Sequence, residues 1–164
     1  MSDPKSIVTQ FYEAFVARDP KGMAALYHPQ VDFTDPVFVG LKGEEAAKMW
    51  AMLNERSKDL KVELVSVDAH GDHVHAHWRA TYTFATTGRK VLNLIYANME
   101  IADGRIRSHR DDFNFWRWSR QALGLSGLLL GFTPIVQNKV RGTARKGLDA
   151  YLKDHPEPMI PPLT

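Results

Sequence analysis

"HVHAHWRATYTFATTGRKVLNLIYANMEIADGRIRSHRDDF", residues 73–113, is the stretch whose reading decides the fold. Its side chains follow a period of two, and it is cut by "TTG" (86–88) and "DG" (103–104), both turn signals for antiparallel hairpins. Upstream, "LKVELVSVDAH" (60–70) ends at "GD" (71–72), which adds one more strand. The expected strands are therefore 60–70, 73–85, 89–101 and a run beginning at 105 that extends through "RIRSHRDDFNFWRW" to 118.

Before residue 58 the period is near 3.6. Ile7, Val8, Phe11, Ala14 and Phe15 form one helical stripe over residues 4–17, with Ser2 or Asp3 as cap and Pro4 in the first turn. "RDPKGMAALYHP" repeats that grammar: Asp19 caps, Pro20 starts, and Pro29 stops a short helix. A third helix is expected over about 44–57, with Ala46, Trp50 and Leu53 along one side. Helices followed by a meander imply an α+β fold with the helices on one face of a curved antiparallel sheet. From Ser119 onward, Gly124, Gly127, Gly131 and Pro134 break the chain into short C-terminal helices ending in a Pro-rich tail. The expected organisation is one domain over 1–118 and a helical extension over 119–164.

The 164 residues fit a single domain, and 44% apolar content is enough for a core. A formal charge of +2 provides no field that marks nucleic acid as the partner. The absence of cysteine excludes disulfides, thiolate metal sites and cysteine nucleophiles, so chemistry must use carboxylates, histidines, hydroxyls or arginine. "MSDPKSIVTQ" has no apolar signal core and no stretch is long enough to span a bilayer, which reads as a soluble cytoplasmic protein.

One acid is out of place. In "VDFTDPVFVGLKG" (31–43), Asp35 sits before a proline among valines and phenylalanines. A buried carboxyl needs a partner or has its pKa pushed upward, and a raised pKa suits a general base near neutral pH.

"FYEAFVARDPKGMAALYHPQVDFTDP", "LKGEEAAKMW" and "ADGRIRSHRDDF", in that order and spacing, resemble the nuclear transport factor two-like superfamily, in particular its SnoaL-like and ketosteroid isomerase-like branches. The resemblance covers roughly residues 5–117. It implies a cone, a cystatin-like roll in which a bent sheet wraps a long helix around an apolar pocket. Members include isomerases, polyketide cyclases, dehydratases, epoxide hydrolases and non-catalytic binding domains, so the fold alone does not choose a function. The resemblance also implies a homodimer formed through the outer face of the sheet.

On this resemblance Asp35 takes the place of the isomerases' general base. Phe11 stands where those enzymes have an oxyanion tyrosine, with Tyr12 directed elsewhere, and Tyr96 stands where they have a protonated aspartic acid. With Tyr96 facing inward, strand alternation turns Leu94, Asn98, His77, Arg79, Thr81, His109, Asp111 and Phe113 inward too. The expected catalytic set is then Asp35 as proton acceptor, Asp111 as a second acid oriented by Arg79 or His109, and Tyr96 or His109 as donor to a carbonyl or enolate oxygen. Phe11, Phe15, Tyr27, Phe38, Trp50, His77, Leu94, Asn98 and Phe113 would line the ligand site. Arg110 and Asp112 alternate to the outer face.

A structural reading stands beside this one: Asp35 caps the Pro36 turn, and Asp111 forms an ion pair with Arg79. The expected function is binding of a small hydrophobic, carbonyl-bearing molecule, with proton transfer, isomerisation or aldol-type ring closure and no cofactor. The alternatives are a limonene-epoxide-hydrolase-like enzyme with Arg79 between Asp35 and Asp111, and a non-catalytic binding or assembly domain. His73, His75 and His77 share a strand face but lie about 7 Å apart in sequence, so no metal is expected. The basic last helix, with Arg141, Arg145, Lys146 and Lys153, either packs on its own domain or touches an anionic membrane surface.

Overall fold

A computed structural model describes residues 2–164. Helix α1 (Pro4–Val16) starts where Asp3 accepts a hydrogen bond from the backbone N–H of Ser6, and α2 (Pro20–Ala25) starts in the same way on Asp19 and Gly22. Then follow β1 (Tyr27–Thr34), the short β2 (Leu41–Lys42) and α3 (Glu44–Arg56). The meander consists of β3 (Lys61–His70), β4 (His73–Phe84), β5 (Arg89–Ala102) and β6 (Arg105–Asp112). Helices α4 (Phe115–Leu123), α5 (Leu125–Leu130) and α6 (Pro134–Asp154) complete the chain. The last strand is thus shorter than its sequence suggests: Asn114 caps α4 through the N–H of Arg117 and turns "FWRW" into helix.

Six strands form one sheet in the order β2-β1-β6-β5-β4-β3, antiparallel except for the parallel β1–β6 pair. Its concave face holds α1 and α3 over one aromatic-rich core that includes Phe11, Phe15, Phe33, Trp50 and Trp78. This is the α+β cone. The C-terminal helices belong to the same body, since Leu148 of α6 and Ile160 of the tail are buried in that core.

The register corrects the expected facing of two strands. On β4, Val74, Ala76, Trp78 and Ala80 are buried; on β5, Val91, Ile95, Ala97, Met99 and Ile101 are. Tyr96, Leu94 and Asn98, with His77, Arg79 and Thr81, therefore lie on the outer face. Tyr96 is opposite Asp112, whereas Asp111 is opposite Ala97. On β4 and over most of β5 the apolar members of the alternating pair take the inside because the hydrophobic effect rewards that choice, Asn93 between the outward Leu92 and Leu94 being the exception, and a shift of one residue inverts every side chain.

Beyond the last β5–β6 pair, β5 has a free edge, which α4 covers. The Gln121 side chain accepts from Leu92 N (2.8 Å) and donates to Leu92 O (3.1 Å), replacing a strand's two backbone bonds. A second, smaller core of Val91, Phe115, Trp118 and Ala122 forms there; Val37, Tyr82 and Phe113 touch both cores. Helix α4 thereby covers the free part of β5 and closes over the second core.

Candidate functional site

β6 contributes His109 and Asp111 to the inner face, and both are buried. The His109 Nδ1 is 2.7 Å from the Tyr27 hydroxyl, and its Nε2 is 2.9 Å from Asp111 Oδ1. Trp50 Nε1 donates to the Tyr27 oxygen at 2.7 Å. An indole can only donate, so the Tyr27 proton goes to His109 Nδ1, and the hydrogen on Nε2 goes to Asp111. This one arrangement satisfies every member of a buried chain running Trp50, Tyr27, His109, Asp111. Trp50 stacks on the imidazole, with ring centroids 5.9 Å apart, while Phe11 and Phe33 meet it edge-on. Phe15 packs in turn on Trp50.

Asp35 follows β1 directly. The β1–β6 register pairs Phe33 with His109 and Thr34 with Arg110, so the next step sets Asp35 beside Asp111. One Asp35 oxygen accepts from the backbone N–H groups of Val37 (2.7 Å) and Phe38 (2.6 Å), so the residue does cap the Pro36 turn. Capping alone would lower its pKa. Removal from water outweighs those bonds, the negative charge of Asp111 adds to it, and the carboxyl is pushed up to about 7 despite the opposing Arg141 charge. Arg141 reaches over from α6 and donates to the Pro36 carbonyl at 2.8 Å. Phe38 is buried beneath the loop, and Phe113 is half-buried where the two cores meet.

The structure thus brings together Asp35, His109, Asp111, Phe11, Phe15, Tyr27, Phe38 and Trp50. Five expected members lie elsewhere. Arg79 is bidentate to Glu63 on the outer face (2.7–2.9 Å), so it neither orients Asp111 nor bridges two acids. Tyr96, 56% exposed, stacks on His77 with centroids 4.4 Å apart; Asn98 bonds His75; Leu94 is half-buried beside them. Tyr96, Leu94 and Phe113 border a hollow of about 420 Å³ where β6 leaves β5. A second hollow, of about 230 Å³, lies between Arg18 and Tyr151. Neither is lined by Asp35.

Two further side chains point into the interior: Trp78, and Tyr12, which is not directed away from the core as expected but lies buried in it, because it shares the apolar stripe of α1 with Val8 and Phe15. The Tyr12 hydroxyl and Trp78 Nε1 are buried without a hydrogen-bond partner, and their rings lie 5.7 Å apart. Burial and then the charge of Asp111 push the Tyr12 phenol well up, so it remains a proton donor. Around Asp111 the neighbouring inward positions of β5 and β4 are Ala97 and Ala76, the smallest side chains of that face. The alternation of apolar residues on β4, with Trp78 in phase with Val74 and Ala76, was the available signal for Trp78; for Tyr12 it was the position four residues after Val8 on the α1 stripe.

A curved sheet wrapped around α1 and α3 is the cone of the nuclear transport factor two-like fold. The match to the SnoaL-like domain family covers residues 8–109, and the chain belongs to that family. Among solved structures it is similar to an LEH-like epoxide hydrolase of M. tuberculosis (20% identity, 77% of this chain and 95% of that one, TM-score 0.63). It is also similar to a protein of ketosteroid isomerase-like fold from Catenulispora acidiphila, in complex with trimethylamine (18% identity, 78% and 97%, TM-score 0.65). A third is an NTF2-like protein from Burkholderia thailandensis (22% identity, 70% and 92%, TM-score 0.63). At these identities the likeness concerns the fold. No curated protein matches the sequence.

Proposed function

We propose that the protein binds a small hydrophobic, carbonyl-bearing molecule inside the cone and catalyses cofactor-free proton transfer on it. The observation that carries this reading is the juxtaposition of Asp35 with the buried Asp111–His109 pair, opposite two unpartnered donors. Ionised Asp35 takes a proton from the carbon next to the carbonyl. Tyr12, with Trp78 N–H beside it, donates to the oxygen on which charge develops, the interaction that contributes most in such reactions. Neutral Asp35 then returns the proton to another carbon, which is isomerisation; when the enolate carbon instead attacks a second carbonyl of the same molecule, a ring closes and the Asp35 proton passes to the new alkoxide oxygen. His109 has both nitrogens engaged, so its role is to position Asp111, not to donate to substrate.

Val37, Phe113 and Arg141 of α6 border the approach to Asp35. The same reading includes a homodimer through the outer sheet face, where Val65, Leu92 and Tyr96 are exposed; light scattering of the purified protein tests it. Deuterium uptake from heavy water into a panel of hydrophobic ketones and enones, followed by mass spectrometry, tests the chemistry. Exchange that disappears in Asp35→Asn supports it. Diol formation from epoxides without such exchange replaces it by hydrolysis, and ligand binding with neither reaction replaces it by a binding function.

A further inference from the structure

We propose that the corner formed by α4, α5 and the start of α6 docks onto the surface of an anionic membrane. Helix α5 is packed inside out. Its buried side is glycine: a Cβ on Gly127 would meet Ser119 O at 1.9 Å, and one on Gly131 would meet Ser119 Oγ at 1.9 Å. Backbone-to-backbone contact with α4 therefore fixes the glycine side inward and turns the leucines out. Leu125, Leu129, Leu130, Phe132 and Ile135 are between 52% and 80% exposed, and Leu128 and Trp116 extend the same patch. Ordinary burial would do the reverse, so so large a contiguous apolar face calls for something to cover it.

Charge decides between the candidate occupants. From Phe113 to Leu148 the chain carries six basic and no acidic side chains. Arg141 and Arg145 are held by the Pro36 carbonyl and by Glu45 with Asp149, which leaves Arg117, Arg120, Lys139 and Lys146 exposed. Two of these border the patch: the Arg120 guanidinium lies 4.7 Å over the Trp116 ring, whose Nε1 donates to Leu128 O, and Lys139 is one helical turn beyond Ile135. Two copies meeting through this face would bring like charges together without an acid between them. A bilayer with anionic headgroups suits both parts, taking leucine, phenylalanine and tryptophan into the headgroup–acyl boundary with the cations at the phosphates. No helix among the described residues is long and apolar enough to cross a membrane, so the contact is interfacial.

The test is flotation of the full chain with phosphatidylcholine vesicles, with and without phosphatidylglycerol. The expected result is binding that requires phosphatidylglycerol, weakens about tenfold or more in high salt, and falls at least about tenfold in Leu129→Glu and Phe132→Glu and less in Lys139→Glu. Both apolar positions are exposed, so folding is retained; if Leu129→Glu melts lower, Leu129→Ser carries the comparison. Absence of binding, or equal binding by the variants, overturns the proposal. So does concentration-dependent self-association that Phe132→Glu abolishes while vesicles bind nothing.

Discussion

Asp111 accepts nothing from Arg79; it accepts the Nε2 hydrogen of His109 at 2.9 Å, inside an aromatic shell where both side chains are buried. That pairing keeps a carboxylate next to Asp35 and so helps to hold the Asp35 proton. Asp111→Asn should therefore move the Asp35 titration down from about 7, because the like charge is removed while burial remains. Carbon-13 NMR of labelled aspartate across a pH series reads the shift directly; an unchanged midpoint would sever the two acids.

Asp35 itself should make stability and activity oppose each other with pH. The folded protein retains a proton that the unfolded chain releases near its ordinary 3.8, so this contribution is complete below that pH and is lost as pH rises through about 7. Thermal melting should fall between pH 5 and pH 8 by the equivalent of about 2 kcal/mol, solvent contact with the half-buried residue having reduced the effect. Asp35→Asn keeps an oxygen for the Val37 and Phe38 N–H groups and should flatten that dependence. Proton exchange, which needs the ionised base, should rise through the same range in the parent protein and drop by about 100-fold or more in the variant.

Tyr12→Phe removes a buried hydroxyl that bonds nothing within the protein, so melting should change by less than about 1 kcal/mol or improve. Exchange into a ketone should nonetheless fall by about 10- to 100-fold through loss of an oxyanion donor. Melting that drops sharply would show instead that the hydroxyl is structural.

Tyr27→Phe leaves Trp50 Nε1 and His109 Nδ1 without partners at once, at a cost of about 2–4 kcal/mol in denaturant unfolding. Arg79→Ala, by contrast, breaks an exposed pair with Glu63 and should cost less than about 1 kcal/mol, with proton exchange unaltered.

The site was partly legible in the chain. Asp35 announced itself as an acid set before a proline among valines and phenylalanines, and His109 and Asp111 share one face by alternation; that Ile106 lies on the same side depends on the bulge between Ile106 and Ser108, which simple alternation does not show. Tyr96 and its companions were misplaced because resemblance set their facing, whereas the apolar alternation of Val91, Ile95, Ala97 and Met99 sets the opposite one. The burial of Tyr12 was legible in the α1 stripe, but its chemical setting and that of Arg141 were not: each depends on a residue on a distant element, Asp111 in one case and the Pro36 loop in the other.

Local physics accounts for what the amino-acid order determined alone. Caps at Asp3 and Asp19, prolines at the first turns, the hairpin glycines and the change of period near residue 58 act over a few residues, and they set the α+β order of elements. Tertiary structure decided which side of β4 and β5 faces in, that His109 bonds Tyr27 and Asp111, and that α5 buries glycine and exposes leucine. Those outcomes depend on strand register and on close backbone contact between elements distant in sequence, where a slip of a single residue exchanges inside for outside.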